Sequence, residues 1–556
     1  MQTLGKGVDA RKESLYIGLA ALFLFTVGLQ GQPFVDFDSR FALFAQEMWR
    51  HGPALFPTTY GAPYPDYPAT STFLIWCISL LTGGVTKLSA VLPTALASAL
   101  NLMITYRLLA RYSRRWAFSA VCFELLTVTF LAEARSISLD QMVSTVTLLG
   151  FYVAHSGKDH SQRLPLTILS LLLVVGFSIR GPLGLVVPAG VICSYYLLSA
   201  QWKNLLRFGI AAAGLLLVGW FGLLELAAYF HGADFRHEVI GMQMAGRMTQ
   251  GENTGRWYYF TSSLGNYALS YPVAVLVVLL LAASRMLGRS EQPRDDAASF
   301  LVYLIGWTLI VIAGLSVPDA RKVRYLLPIV PAIAALAAYP LHAGIDPQRQ
   351  RFLVYFGKAL EGLLLLLPTV ALIVLWATFH HAGTQAAAVQ LPFLPMAILL
   401  VAIQGIVLLL RWRGSPDTAL AGELLGAVAT VCSLNLLVVE PARLQLHDTR
   451  AFVDHVEVLR QRQPGEVVFF RVGRDATAIK YLVNLDYDLQ PKFFDDCADF
   501  DSLAATPSYV IVNDDDLPAA RECAPLQSLA PVVHQHFDRQ HSAVFYLPGT
   551  GTPNGR

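Results

Sequence analysis

Long apolar runs separated by short polar breaks fill most of the chain, from "SLYIGLAALFLFTVGL" to about residue 438. A helix that crosses a bilayer needs about 20 mostly apolar residues. By that window, candidate spans cover residues 14–30, 87–109, 116–132, 141–155, 164–179, 182–199, 207–229, 267–287, 299–315, 325–341, 353–379, 391–410 and 419–438. That makes about 13 transmembrane helices, the first read as a retained span. The run "ATSTFLIWCISLLTGG" (69–84) is shorter and is bracketed by Pro68 and Gly83-Gly84. It predicts a re-entrant or interfacial helix. After about residue 440 the period changes: "DTRAFVDHVEVLRQRQ" reads as a helix, and "EVVFFRV", "PSYVIVND" and "SAVFYLP" as short strands. The expected fold is a polytopic α-helical membrane domain over 1–439, whose first outer loop (31–86) carries juxtamembrane helices, followed by a small soluble α/β domain over 440–556.

Composition agrees. Of 556 residues, 54% are hydrophobic and 14% charged, which excludes a chain that solvates itself as a globule. A formal charge of +2 without a long basic tract gives no sign of a nucleic-acid partner. Lys and Arg set the orientation. With the N-terminus in the cytoplasm, the inner loops receive "RLLARYSRR" (107–115) and the pairs Lys203/Arg207, Arg349/Arg351 and Arg411/Arg413. Counting 69–84 as a full span would put "RYSRR" outside. The C-terminal domain then lies outside the cytoplasm, where Cys497 and Cys523 could form a disulfide.

The outer loops hold the candidate chemistry. In "FVDFDSRFALF" (34–44), Asp36 and Asp38 precede Arg40 and an amphipathic helix from Ser39 to Trp49, expected along the membrane surface. Either acid can cap that helix, or act as a general base toward an acceptor hydroxyl or amine. "YPDYP" sets Asp66 between Tyr64 and Tyr67, as a turn former or a positioned ligand. Asp140, in "EARSISLDQM", is placed to cap the next span; gathered carboxylates could instead bind a divalent cation. Outer cations are disfavoured by orientation, yet Arg180, Arg247, Arg256, Arg321, Lys322 and Arg324 fall there. They are either snorkelling headgroup contacts or holders of a lipid-linked phosphate. His231, His237 and His380-His381, the last pair in an expected outer turn, lack zinc-like spacing. The sequence has no Walker loop, no GxGxxG after a strand and no GxSxG, so nucleotide-driven chemistry has no support.

Taken in order, "DSRFALFAQEM", "YPDYP", "RLLARYSRR", "ARSISLDQM", "GFSIRGPLGLVVP" and "KVRYLLPIVPAIAALAAY" resemble the GT-C type polyprenyl-phosphate-dependent glycosyltransferases over about residues 10–345. The aminoarabinose lipid A transferases are the nearest in pattern, the protein O-mannosyltransferases more distant. The resemblance implies inverting transfer from a polyprenyl-phosphate sugar (undecaprenyl phosphate in bacteria) to a lipid, glycan or protein acceptor, at the periplasmic face of a bacterial inner membrane. It implies a catalytic carboxylate at Asp38 or Asp36, with Asp38 favoured by its spacing to Arg40. It also implies first-loop substrate contacts at Arg40, Tyr64 and Tyr67, and a donor-phosphate site at Arg321, Lys322, Arg324 and Arg180, joined by Arg247 or Arg256. A metal at Asp66 or Asp140 is the one cofactor it suggests. The family frame Asp-Glu-x-Arg-Tyr reads Phe37-Asp38-Ser39-Arg40-Phe41 here, and Tyr67 replaces a Lys. Those departures point to another sugar or acceptor. A sugar-lipid flippase or a non-catalytic lipid-binding protein are the rival classes. A transporter route would need more charges inside spans, whereas these gather in outer loops. Sugar, acceptor, prenyl length and oligomeric state are not encoded in these motifs.

Overall fold

The structure is a computed structural model. It describes residues 2–157, 163–245, 255, 257–286, 296–342, 350–388, 392–503 and 506–549. Arg247 and Arg256 lie outside the described residues. The chain forms two compact units. The first comprises Met1–Val27, Pro65–Ser71 and Val91–Val439; the second comprises Gly28–Tyr64, Thr72–Ala90 and Glu440–Arg556.

Seven described helices are long and apolar enough to cross a membrane, and up to nine if each of two bent pairs makes one span. The sequence windows do not map one to one onto these. Leu164–Arg180 and Pro182–Leu198 fall short on length, and Thr70–Thr82 is a short apolar helix. The window 116–132 breaks at Thr127 into Arg114–Leu126 and Val128–Ala134, bent by 75°. Thr127 Oγ1 lies 2.9 Å from the Phe123 carbonyl and 2.7 Å from Ser270 Oγ, so hydroxyls serve backbone groups released by the break. His380 and His381 belong to the helix Arg351–Ala388 rather than to a turn, with the His380 ring stacked on Trp376.

Three local devices in the first unit set the ends of its helices. Gly181, at φ +59, turns Arg163–Arg180 directly into Pro182–Leu198. A Cβ on Gly176 would lie 2.0 Å from the Gly184 carbonyl oxygen, so the two helices touch backbone to backbone only because both residues are glycine. The segment Val323–Leu341 is buried over most of its length. Pro331 cannot donate to the Leu327 carbonyl. Ser144 Oγ donates to it instead (3.1 Å), while Trp307 Nε1 donates to the Pro328 carbonyl (2.9 Å).

The second unit contains a five-stranded sheet: β1 (Glu466–Phe470), β2 (Lys492–Phe494), β3 (Ser508–Asn513), β4 (Val533–Phe537) and β5 (Gln540–Leu547). The order is β2-β1-β3-β5-β4, with β1 parallel to β2 and β3, and β5 antiparallel to β3 and β4. Alternate residues serve opposite faces. Val467, Phe469, Tyr509 and Ile511 pack on Phe452 and Val456 of the helix Arg450–Arg462, whereas Val468, Phe470, Val510 and Val512 pack on Phe500, Ala520 and Leu526. Cys497 and Cys523 form a disulfide across 26 residues on that second face.

Candidate active site

In the first unit two arginines from separate segments converge on Asp140. Ser138, not Asp140, caps its helix, accepting from the Gln141 N–H at 3.3 Å. Asp140 therefore keeps both oxygens for side chains: Arg180 Nε stands 2.9 Å from Oδ1 and Arg324 Nε 3.4 Å from Oδ2. Asp140 and Ser144 are one turn apart on one helix face. The first meets Arg324, the second the Leu327 carbonyl, so two contacts fix the segment that carries Arg324. Arg180, only 4% exposed, is delivered by the Gly181 turn and lies over the rings of Tyr67 (5.6 Å) and Tyr325 (5.2 Å). Its contact with Asp140 runs through Nε. Among the described residues its two Nη groups make no hydrogen bond.

Asp66 is buried nearby in the same unit. Its Oδ1 accepts from the Tyr67 N–H (2.9 Å) and from Gln243 Nε2 (3.1 Å). The three cations of "ARKVR" serve different ends. Arg324 turns to Asp140, whereas Arg321 donates to the Gly255 and Ser316 carbonyls and to Asp319. The exposed Lys322 precedes the 3-10 turn that carries Arg324.

The second unit holds the first-loop acids and separates them. Phe37 occupies the cap position of the helix Asp38–His51, and no side chain caps it. Asp38, 1% exposed, pairs with Lys87, which is also buried. Asp36 sits at φ +52, a region an Asp tolerates better than most residues. Arg443 Nε is 2.9 Å from it, and His447 Nδ1 and Arg539 are each 3.8 Å away. Arg40 donates to the Asp475 carbonyl (2.7 Å) and lies over Tyr64, whose ring packs on Phe44. The helix expected along the membrane surface instead gives its polar side to the C-terminal segment: Gln46 donates to the Val483 carbonyl and Arg50 binds Asp488. Glu47, 5% exposed, faces the Thr58 hydroxyl and the N–H groups of Tyr60 and Gly61. Burial outweighs those bonds and raises its carboxyl above the usual range.

Two metal-binding possibilities differ in their donors. Asp140 already has a guanidinium on each oxygen, which does not suit a cation ligand. Asp66 fits better. The Gln243 amide oxygen beside it is buried and has no hydrogen-bond partner among the described residues, and hard divalent ions take carboxylate and amide oxygens. Asp36, His447 and Asp538 also lie close together, but Arg443 and Lys480 already neutralise that cluster.

Lys87 was not singled out from sequence, yet a signal existed. It is a cation at the N-terminus of an apolar helix, where the helix dipole disfavours it. Gln243 and Tyr325 carried no comparable mark.

The fold matches ArnT from Cupriavidus metallidurans in the apo state (TM-score 0.69) and bound to undecaprenyl phosphate (0.66). Each match is 17% identical and covers 96% of this chain and 98% of the other. The family described as dolichyl-phosphate-mannose-protein mannosyltransferase matches residues 66–221, which include Asp66, Asp140 and Arg180. The fold is therefore ArnT-like. Similar proteins include the undecaprenyl phosphate-alpha-4-amino-4-deoxy-L-arabinose arabinosyl transferase of Pseudomonas savastanoi pv. phaseolicola, 25% identical over 60% of this chain and 61% of that one. The protein of the same name from Pseudomonas aeruginosa PAO1 is 25% identical over 71% of this chain and 70% of the other. The chain thus spans about three fifths of the length of the first of these relatives.

Proposed function

We propose that the protein is an inverting glycosyltransferase of the bacterial inner membrane. It moves a sugar from a polyprenyl-phosphate donor to a lipid, glycan or protein acceptor at the periplasmic face. The observation that carries this reading is Arg180: a buried guanidinium, paired through Nε with Asp140, with no hydrogen bond at either Nη group among the described residues, and Arg324 on the same carboxylate. Such a fork suits a phosphate that enters from an apolar surface. The names of the relatives and the lipid phosphate bound to the Cupriavidus ArnT support a polyprenyl phosphate as that anion. The Cys497–Cys523 disulfide supports an oxidising compartment for the C-terminal segment. Of the sequence windows, the shorter helices Leu164–Arg180 and Pro182–Leu198 then count as spans, tilted or locally thinning the bilayer.

Asp38 is the proposed base. Asp36 already serves as a tie to Arg443, whereas Asp38 is paired with the buried Lys87 and is the carboxylate assigned to accept the proton. The acceptor O–H or N–H gives its proton to Asp38, and the heteroatom bonds to the anomeric carbon from the face opposite the phosphate. The carbon–oxygen bond to phosphate breaks, and the electron pair leaves with polyprenyl phosphate. Arg180 and Arg324 take up that charge, so no acid is needed to protonate the leaving group. Asp66 and Gln243 would hold a divalent ion, which when bound supplies further positive charge to the phosphate.

Purified protein offered a panel of polyprenyl-phosphate sugars tests this directly. Transfer from at least one donor is expected. Arg180→Ala should weaken donor binding and lower transfer by about 100-fold, the scale of losing one preorganised donor group. Unchanged donor affinity in that variant would remove the phosphate site.

A further inference from the structure

The first unit has a cation-bearing cavity at the opposite ends of the helices that carry Asp140 and Arg180. It has a volume of about 900 Å³, and its wall includes Tyr196, Gln201, Trp202, Lys203, Arg207 and Phe208. Asp140 begins the helix Leu139–Ser156 and Arg180 ends Arg163–Arg180; the cavity is lined from the other end of each, by Ala154 and by Pro165 and Leu166. Eighteen residues of helix rise about 27 Å, close to the hydrocarbon thickness of a bilayer. The two sites therefore belong to opposite membrane faces. The Lys/Arg pattern makes this one the inner face.

We propose that this cavity binds the headgroup of an anionic diacyl phospholipid from the inner leaflet. Its described lining residues include two cations and no acid. Lys203 is exposed and makes no hydrogen bond or ion pair among the described residues. The neutral polar side chains are already engaged with one another. Asn204 Nδ2 donates to Gln201 Oε1 (2.8 Å), and Gln201 Nε2 to Ser199 Oγ (2.9 Å), so charge rather than an open amide is what the cavity offers. Below the cations the same helix is built for acyl chains. Lys203, Leu206, Arg207 and Ile210 share one face at helical spacing, and exposed Leu217 and Phe221 continue it. From Leu206 to Phe221 is about 22 Å, roughly the reach of an acyl chain. The buried rings of Tyr196 and Phe208, with the exposed indole of Trp202, form an interfacial aromatic set beside the cations. Basic pockets between helix ends on the cytoplasmic side are suited to anionic lipid headgroups.

Native mass spectrometry of the full chain in detergent tests the proposal, with phosphatidylglycerol and phosphatidylcholine titrated in competition. Preferential retention of phosphatidylglycerol is expected, weakening as salt is raised. The Lys203→Ala/Arg207→Ala variant should bind it about tenfold less tightly, while Lys203→Arg should retain binding. A thermal melt without lipid checks that the double variant remains folded; if it does not, Lys203→Gln is measured in its place with the same expected direction. Equal retention of the two lipids would overturn the proposal, as would wild-type phosphatidylglycerol affinity in the folded cation variant. Displacement of phosphatidylglycerol by undecaprenyl phosphate at the same site would overturn it too, because the cavity would then be a station for the donor.

Discussion

Asp36 and Asp38 are two residues apart in one unit, and Asp140 belongs to the other; each buries its charge differently. Asp140 is held by two arginines that arrive from separate helices, aligned by a glycine contact and a serine-capped proline break. Asp38 pairs with Lys87, and both are nearly inaccessible. Asp36 is a half-buried hub for Arg443, His447 and Arg539. Each of these carboxylates is paired with a cation, and which cation it meets decides what the acid can still do. Asp140 positions guanidiniums, Asp36 joins segments, and Asp38 is paired with a single-headed lysine cation.

The largest test of that contrast separates the two neighbouring acids. Asp38→Asn should lower transfer by about 1,000-fold, within the range of lost general-base catalysis, with donor affinity unchanged. Asp36→Asn should change transfer less than about threefold and lower stability by about 1 kcal/mol, because it loses a partly exposed ion pair and keeps a residue that accepts positive φ. Asp38→Asn also disturbs a buried pair, so both variants are compared with Lys87→Met in thermal melts. If turnover falls only in proportion to folded protein in all three, Asp38 is a structural partner and not the base.

A second test breaks the Asp140 site without touching it. A Cβ on Gly184 would stand 1.9 Å from the Gly176 carbonyl oxygen, and backbone cannot rotate out of the way. Gly184→Ala should therefore destabilise the protein by about 3 kcal/mol and weaken donor binding, since the contact sets where Arg180 ends its helix. Full donor affinity in this variant would show that Arg180 is not aligned by helix packing.

Much of this was legible in the sequence because hydrophobic period and cation sidedness are local signals. They marked most of the apolar helices, three of the five sheet strands after residue 440, and the breaks near Asp66, Asp140, Arg180 and Arg324. What sequence reading could not supply was pairing. The same pattern allowed Asp140 to cap its helix, yet Ser138 takes that role and frees Asp140 for the arginines. "ARKVR" read as one basic patch, but successive side chains on a tight turn diverge, so Arg321 faces carbonyls and Arg324 faces Asp140. The first loop read as a surface helix on lipid. Its polar residues, Gln46 and Arg50, instead meet a segment more than 400 residues later, a contact no local period encodes.

The smallest effect concerns Glu47, the carboxylate that the first-loop helix buries against Thr58, Tyr60 and Gly61. Asp38 is buried with a cation; Glu47 is buried with dipoles alone, and burial wins, raising its proton affinity. A carboxyl whose folded value is raised stabilises the fold at pH below its unfolded value. That contribution is lost as pH rises through the raised value, because the ionised form is the one that burial penalises. Glu47→Gln keeps an oxygen for the Tyr60 and Gly61 N–H groups and removes the charge. Melting temperatures of the two proteins should converge toward about pH 4 and separate toward pH 7, with the glutamine variant the more stable at neutral pH. Parallel melting curves across that interval would show that the Thr58, Tyr60 and Gly61 contacts offset the burial of Glu47, and that dipoles can serve a buried acid in this unit as well as Lys87 does.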